Sequence, residues 1–216
     1  MSDPLIIKIC GIKTEAVLDA ALAAGADMVG FVHFARSPRH LELDPIGELI
    51  SLARGRAETC VLLVNPDNTL VAQVAALGPD WIQLHGPETP HRVAAIRETA
   101  GIAVLKACAI GGPDDVAAVA GFADCADRIL LDAKPGAGAT RPGGLGTSFD
   151  WRLLKALDPE LGFMLSGGLT PDTVGAAIAA TRPLGVDVSS GVETSPGVKD
   201  IGLVRAFIEQ ARAAGM

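Results

Sequence analysis

Residues 5–24, LIIKICGIKTEAVLDAALAA, hold the pattern on which the architecture turns. Leu5–Ile9 is short, apolar and largely β-branched, and Thr14–Ala24 is an alanine-rich amphipathic run opened by a capping threonine. A strand followed directly by a helix is one βα unit, and the unit recurs to the end of the chain. Further strands are predicted at Met28–His33, Cys60–Val64, Trp81–Leu84, Ala103–Ala107, Arg128–Leu131, Phe163–Leu165 and Val186–Val188. Further helices are predicted at Pro45–Arg54, Asn68–Leu77, Pro90–Thr99, Pro113–Ala120, Asp150–Leu157, Pro171–Ala180 and Asp200–Ala213. The fold class is therefore α/β. A closed (β/α)8 barrel and an open doubly wound sheet both accommodate the alternation, and eight units in 216 residues favour the barrel, as a single domain over residues 1–216. The longest non-helical connection, Ala133–Thr147, is rich in Gly and Pro, and a loop of that length is expected to be functional or mobile.

With 49% hydrophobic and 20% charged residues the chain reads as globular. A net charge of −7 disfavours nucleic acid and anionic membranes as partners and leaves room for a small anionic ligand held by local cations and amides. Met1–Pro4 run straight into the first strand without a basic, then long apolar, leader. No apolar run reaches membrane-spanning length. Cys10, Cys60, Cys108 and Cys125 are scattered, which suggests neither a zinc site nor a disulfide framework. A cytoplasmic location is expected.

Barrel chemistry sits where strands end, and the period-two alternation of a strand selects its inward side chains. Apolar Ile7 and Ile9 suit the helix-facing side, so Lys8 and Cys10 should point inward. The Lys8 ammonium is then expected to lower the Cys10 thiol pKa, as a general base needs. The bland alternative is a small buried apolar cysteine, the reading kept for Cys60, Cys108 and Cys125. Asp132 follows Leu130-Leu131 and opens the long loop. It is either an inward general acid with a raised pKa or a loop-start aspartate.

Ser166-Gly167-Gly168-Leu169 follows strand seven and Ser189-Ser190-Gly191 follows strand eight. Glycine lets backbone N–H groups approach an anion, and the last two loops of a barrel are its recurrent phosphate cradle. Gly167, Gly168, Ser189, Ser190 and Gly191 are thus predicted phosphate binders, although each segment alone could be an ordinary turn. Arg36 and Arg39 follow strand two, either as solvated arginines or as a fork for a substrate carboxylate. Gln83 and His85 share the inward face of strand four, as ligand contacts or as satisfied interior groups. Asp187, inward with Ser189, could bond a sugar hydroxyl or pair with an interior lysine, for which Lys106 is the candidate. The clustered histidines and acids of a metal site are not evident, so no metal is expected.

The ordered set of these segments resembles the phosphoribosylanthranilate isomerases over essentially the whole chain. The resemblance lies in Lys8-Ile9-Cys10-Gly11-Ile12, Gly25–Val32 with Ser37-Pro38-Arg39, and Gln83-Leu84-His85-Gly86. It continues through Leu131-Asp132, Gly143–Trp151, Leu165–Leu169, Val186–Glu193 and Pro196–Asp200. It implies a TIM barrel and an Amadori rearrangement of N-(5-phosphoribosyl)anthranilate in tryptophan biosynthesis. It further implies that Cys10 is the general base, Asp132 the general acid and Arg39 the clamp on the anthranilate carboxylate. That chemistry requires no cofactor, and the family's members lead one to expect a monomer or homodimer whose partner is the phosphosugar–anthranilate substrate. Loop 133–147 departs most from a fixed pattern, and none of its residues receives a role. Two competing readings are another phosphosugar barrel enzyme, such as a metal-dependent epimerase or indole-glycerol-phosphate synthase, and a non-catalytic phosphate sensor.

Overall fold

Apolar side chains alternate along every strand, and that alternation produces two concentric layers. The computed structural model describes residues 4–136, 138–139 and 141–215. Its strands are β1 (Ile6–Cys10), β2 (Met28–Val32), β3 (Glu58–Leu63), β4 (Trp81–Leu84), β5 (Ala103–Ile110), β6 (Arg128–Ala133), β7 (Phe163–Leu165) and β8 (Gly185–Val188). Each pairs in parallel with the next, and β8 returns to β1 with Asp187 opposite Lys8, which closes the barrel and overturns the open-sheet alternative. Met28, Cys60, Trp81, Leu105, Ala107, Leu130 and Met164 fill the barrel interior. The opposite phase, including Ile7, Ile9, Val29, Phe31, Val61 and Leu131, packs outward against the helices. Burying one such side chain contributes on the order of 1.5–3 kcal/mol, so a one-residue slip in any strand would be costly.

The helices are α1 (Glu15–Ala23), α2 (Leu43–Ala53), α3 (Asn68–Ala76), α4 (Pro90–Ala100), α5 (Pro113–Val119), α6 (Val174–Thr181) and α7 (Ile201–Ala214). Thr14 caps α1 as expected, and Asp67, Thr89 and Asp200 likewise accept N–H groups from the first turns of α3, α4 and α7. Pro45 falls in the first turn of α2, where a missing N–H is harmless.

Several expectations need correction. Asp150–Leu157 is not an α-helix: Trp151–Ala156 forms a 3-10 helix. Pro171 lies in a turn ahead of α6, because Thr170 and Thr173 bond to each other there. β5 and β6 run beyond Ala107 and Leu131, so Cys108 and Asp132 are strand residues. Lys106 is not an interior lysine. It shares the outward phase of Val104 and Cys108 and donates to Glu88 Oε2 at 2.7 Å and to the Gly86 carbonyl at 2.6 Å. Residues 137 and 140 of the long loop, and residues 1–3 on which the leader reading partly rests, lie outside the described residues. Among those described, no helix is long and apolar enough to cross a membrane.

Candidate active site

The carboxyl ends of the strands open into one cleft. Cys10, Arg39, Gln83, His85, Asp132, Gly167, Gly168, Asp187, Ser189, Ser190 and Gly191 all line it, whereas Arg36 is exposed elsewhere on its loop. Cys10 ends β1 and is 3% exposed. Gly30 on the neighbouring strand makes room for it: a Cβ there would lie 3.0 Å from the Cys10 sulfur and 3.3 Å from Lys8 Nζ. Asp132, on the far side of the barrel, accepts the Ala133 N–H at Oδ1 (2.8 Å) and faces His85 Nε2 at Oδ2 (3.1 Å).

Lys8 is fully buried and donates to Asp187 Oδ1 at 2.7 Å and to Gln83 Oε1 at 2.9 Å. Ser166 Oγ donates to the other Asp187 oxygen at 3.1 Å. Lys8 is thus the interior lysine that Asp187 pairs with, the role expected of Lys106. Burial alone would discharge Lys8, but the Asp187 carboxylate paired with it outweighs burial and holds the ammonium charged.

The expected lowering of the Cys10 pKa is overturned. Burial pushes the thiol up by more than Lys8 pulls it down, and Asp187, paired with Lys8, adds to the upward push. Without ligand, Cys10 is therefore held as the thiol. Cys60 and Cys108 are pushed by burial to about 12 and about 11, so they behave as small apolar side chains.

Arg39 is 3% exposed, and its fork is already engaged: Nε and Nη2 meet the two Glu193 oxygens at 2.7 and 2.8 Å. Lys199 donates to the same carboxylate at 2.8 Å and to the Ser189 carbonyl at 2.9 Å. No role was anticipated for Glu193 and Lys199. The available signal was the Pro196-Gly197 turn, which folds β9 (Glu193–Ser195) against β10 (Val198–Lys199) and sets Lys199 opposite Glu193. Arg141, from the long loop, donates through Nη2 to the Gly144 carbonyl at 3.3 Å, and Arg39 Nη2 reaches the same oxygen at 3.3 Å. Arg141 Nε is buried without a partner among the described residues.

The two glycine-rich loops also line the cleft, the second beside Lys199. Gly167 (φ +91°) and Gly168 (φ +65°) are left-handed, and a Cβ would meet the Ala133 nitrogen at 2.7 Å and Thr147 at 2.8 Å respectively. Any side chain at Gly191 would collide with the Leu169 carbonyl, so the loops after β7 and β8 pack directly together. The N–H groups of Gly167, Gly168, Ser190 and Gly191 find no protein acceptor among the described residues. Converging unpaired amides of this kind suit an anion.

Fold and site together define a TIM-barrel enzyme with a thiol and a carboxyl group across a cleft walled on one side by anion-seeking amides. The sequence matches the family description N-(5'phosphoribosyl)anthranilate (PRA) isomerase over residues 7–210, and the chain belongs to that family. It is 55% identical to the N-(5'-phosphoribosyl)anthranilate isomerase of Nitrobacter hamburgensis over 97% of this chain and 94% of that protein. It is 54% identical to the isomerase of Rhodopseudomonas palustris strain BisA53, with 97% of each covered. The phosphoribosyl anthranilate isomerase of Thermotoga maritima superposes with a TM-score of 0.86 at 32% identity, over 97% of this chain and 99% of that one. Another such isomerase, solved in complex with reduced 1-(o-carboxyphenylamino)-1-deoxyribulose 5-phosphate, superposes at 0.82 with 29% identity and the same coverage.

Proposed function

We propose that the protein isomerises N-(5-phosphoribosyl)anthranilate to 1-(2-carboxyphenylamino)-1-deoxyribulose 5-phosphate in tryptophan biosynthesis, with Cys10 as general base and Asp132 as general acid. The observation that carries this reading is the convergence of both groups, from β1 and β6 of the barrel, on one cleft that also receives the glycine-rich loops. Asp132 protonates the furanose oxygen, the C1′–O bond breaks, and the anthranilate nitrogen lone pair forms the iminium. Cys10 then removes the C2′ proton, and the resulting enolamine tautomerises to the ketone. The substrate enters as the aldose form and leaves as the ketose, so electrons balance without an external oxidant. The iminium also answers the raised Cys10 pKa: a cation formed beside the buried thiol favours release of the thiol proton to solvent, so that the thiolate is present at the step that needs it.

The phosphate sits against the amides of Gly167, Gly168, Ser190 and Gly191, with Ser189 beside them. Arg39 faces the anthranilate carboxylate, with His85 and Asp187 toward the sugar. The enzyme acts as a single-domain cytoplasmic protein, monomeric or homodimeric, without a metal or organic cofactor.

The test is loss of anthranilate-adduct fluorescence, with substrate generated in situ and excess chelator present. Rapid loss with wild type, and a fall of about a thousandfold in Cys10→Ala and Asp132→Asn, is expected. Substantial turnover in both folded variants would sink the acid–base assignment. No turnover by well-folded wild type would return the protein to the phosphate-sensor reading.

A further inference from the structure

Asp132 does not stand alone: a directed line of hydrogen bonds reaches it through the barrel interior. Lys8, which can only donate, sits 2.9 Å from Gln83 Oε1. A reversed amide would set NH2 against an ammonium, so the Gln83 oxygen must face Lys8 and its nitrogen must face away. That nitrogen lies 2.9 Å from His85 Nδ1. An amide NH2 is donor only, so Nδ1 must accept, and the proton of a neutral imidazole must reside on Nε2. Nε2 lies 3.1 Å from Asp132 Oδ2. Every donor along Lys8, Gln83, His85 and Asp132 therefore points the same way, a polarity in which each bond strengthens the next.

The supports around this line are rigid. Gln83 is fully buried. Glu88 accepts the Gly86 N–H through both oxygens (3.1 and 3.0 Å) and the Asn65 N–H at 2.8 Å, while its ion pair with Lys106 closes the turn just beyond His85. The Ala133 N–H holds the second Asp132 oxygen. Orientation of the carboxyl group is therefore fixed from two sides, and the His85 side depends on a tautomer.

We infer that Gln83 is a positioning residue for the rearrangement: held by Lys8, it fixes the Nε2–H tautomer of His85, which aims Asp132 into the cleft. Gln83 acts through His85 rather than on substrate, since it is fully buried with its oxygen on Lys8 and its nitrogen on His85. The inference rests on the reading of Asp132 as the proton donor.

The test compares Gln83→Met, His85→Gln and the double variant by steady-state kinetics, together with nitrogen NMR of histidine-labelled wild type. In His85→Gln an amide N–H stands where imidazole Nε2–H stood, and an amide has no tautomer to fix. Gln83→Met should lower kcat about ten- to a hundredfold, the worth of one charge-assisted hydrogen bond, with KM little changed. The double variant should be no slower than His85→Gln alone. The spectrum of wild type should show His85 protonated at Nε2 and bare at Nδ1. Losses that multiply in the double variant, or a wild-type ring protonated at Nδ1, would overturn the inference. The spectrum requires no variant, so it decides even if Gln83→Met does not fold. Full activity of Asp132→Asn would instead overturn the acid assignment and with it the catalytic consequence, while the spectrum would still report the tautomer.

Discussion

Glu193→Gln removes one buried charge from between two cations, and the structure sets the size of the effect. Its side chain is 3% exposed and touches both Arg39 and Lys199. Burial pushes the carboxyl up, but the hydrogen bonds from Arg39 and Lys199 outweigh burial and hold it at about 2, against an ordinary 4.5. In the unfolded chain the group titrates near its ordinary value. Its ionisation therefore stabilises the fold fully above about pH 4.5, and that stabilisation is lost as pH falls through about 2. At about 1.4 kcal/mol per unit, the charge contributes about 3 kcal/mol at pH 7 and about 1.5 kcal/mol at pH 3. Breaking a buried ion pair by removing one partner costs a similar amount. Gln mimics the protonated acid, so urea unfolding of both proteins from pH 7 to pH 3 reads the contribution directly, and other carboxylates cancel in the difference. The wild type should be more stable by about 3 kcal/mol at pH 7, shrinking by about half at pH 3. A difference under about 1 kcal/mol at pH 7, or one that does not shrink with acid, would refute the reasoning.

Gly30→Ala sets a methyl group 3.0 Å from the Cys10 sulfur and 3.2 Å from its Cα, so it should lower kcat by displacing the thiol and cost about 1–3 kcal/mol in denaturant melts. A variant with wild-type kcat would show that Cys10 tolerates displacement. Arg39→Ala should weaken substrate use far more than Arg36→Ala, because only Arg39 lines the cleft, and steady-state KM values for both variants check this. Arg141→Gln should raise KM about tenfold with kcat preserved, since a guanidinium whose buried Nε has no partner among the described residues faces the cleft beside Arg39. An unchanged KM would mean that Arg141 only braces its loop.

The strand ends were legible because alternation is a local property with a strong energetic signature. Ile7 and Ile9 bracket Lys8, and that alone fixes the inward phase of Lys8 and Cys10. The same logic failed at β5. There Ala103, Leu105 and Ala107 on one face and Val104 and Cys108 on the other are all apolar, so the phase of Lys106 could not be read from its neighbours. The sign of the Cys10 shift was hidden for a different reason. A cation two residues away is visible in the sequence, whereas the desolvation that outweighs it, and the Asp187 that shares the cation, come from strands brought together only by closure. Glu193 and Lys199 escaped because their meeting depends on a hairpin of two very short strands, too brief to show periodicity.

The charges around the cleft settle which way substrate affinity should move in Glu193→Gln. Lys8, Arg39, Arg141 and Lys199 outnumber Asp132, Asp187 and Glu193 around the cleft, whatever the protonation of Asp132, in a chain whose net charge is −7. On charge alone, deleting a carboxylate should strengthen the pull on a substrate that carries both a phosphate and a carboxylate, and lower KM. Geometry argues the reverse. Glu193 engages one edge of the Arg39 guanidinium through Nε and Nη2 and also holds the Gly197 N–H at 3.1 Å, so it ties the aim of Arg39 to the β9–β10 hairpin. Bidentate recognition depends on that aim more than on the sum of charges. Lys199, freed of its counter-charge, would also press its repulsion on Arg39 and turn it away. KM should therefore rise in Glu193→Gln, and it should rise at high salt as well as low, because a loss of aim is not screened. A fall in KM at low ionic strength that disappears in salt would mean that net charge, not the fork, governs how this cleft takes its substrate.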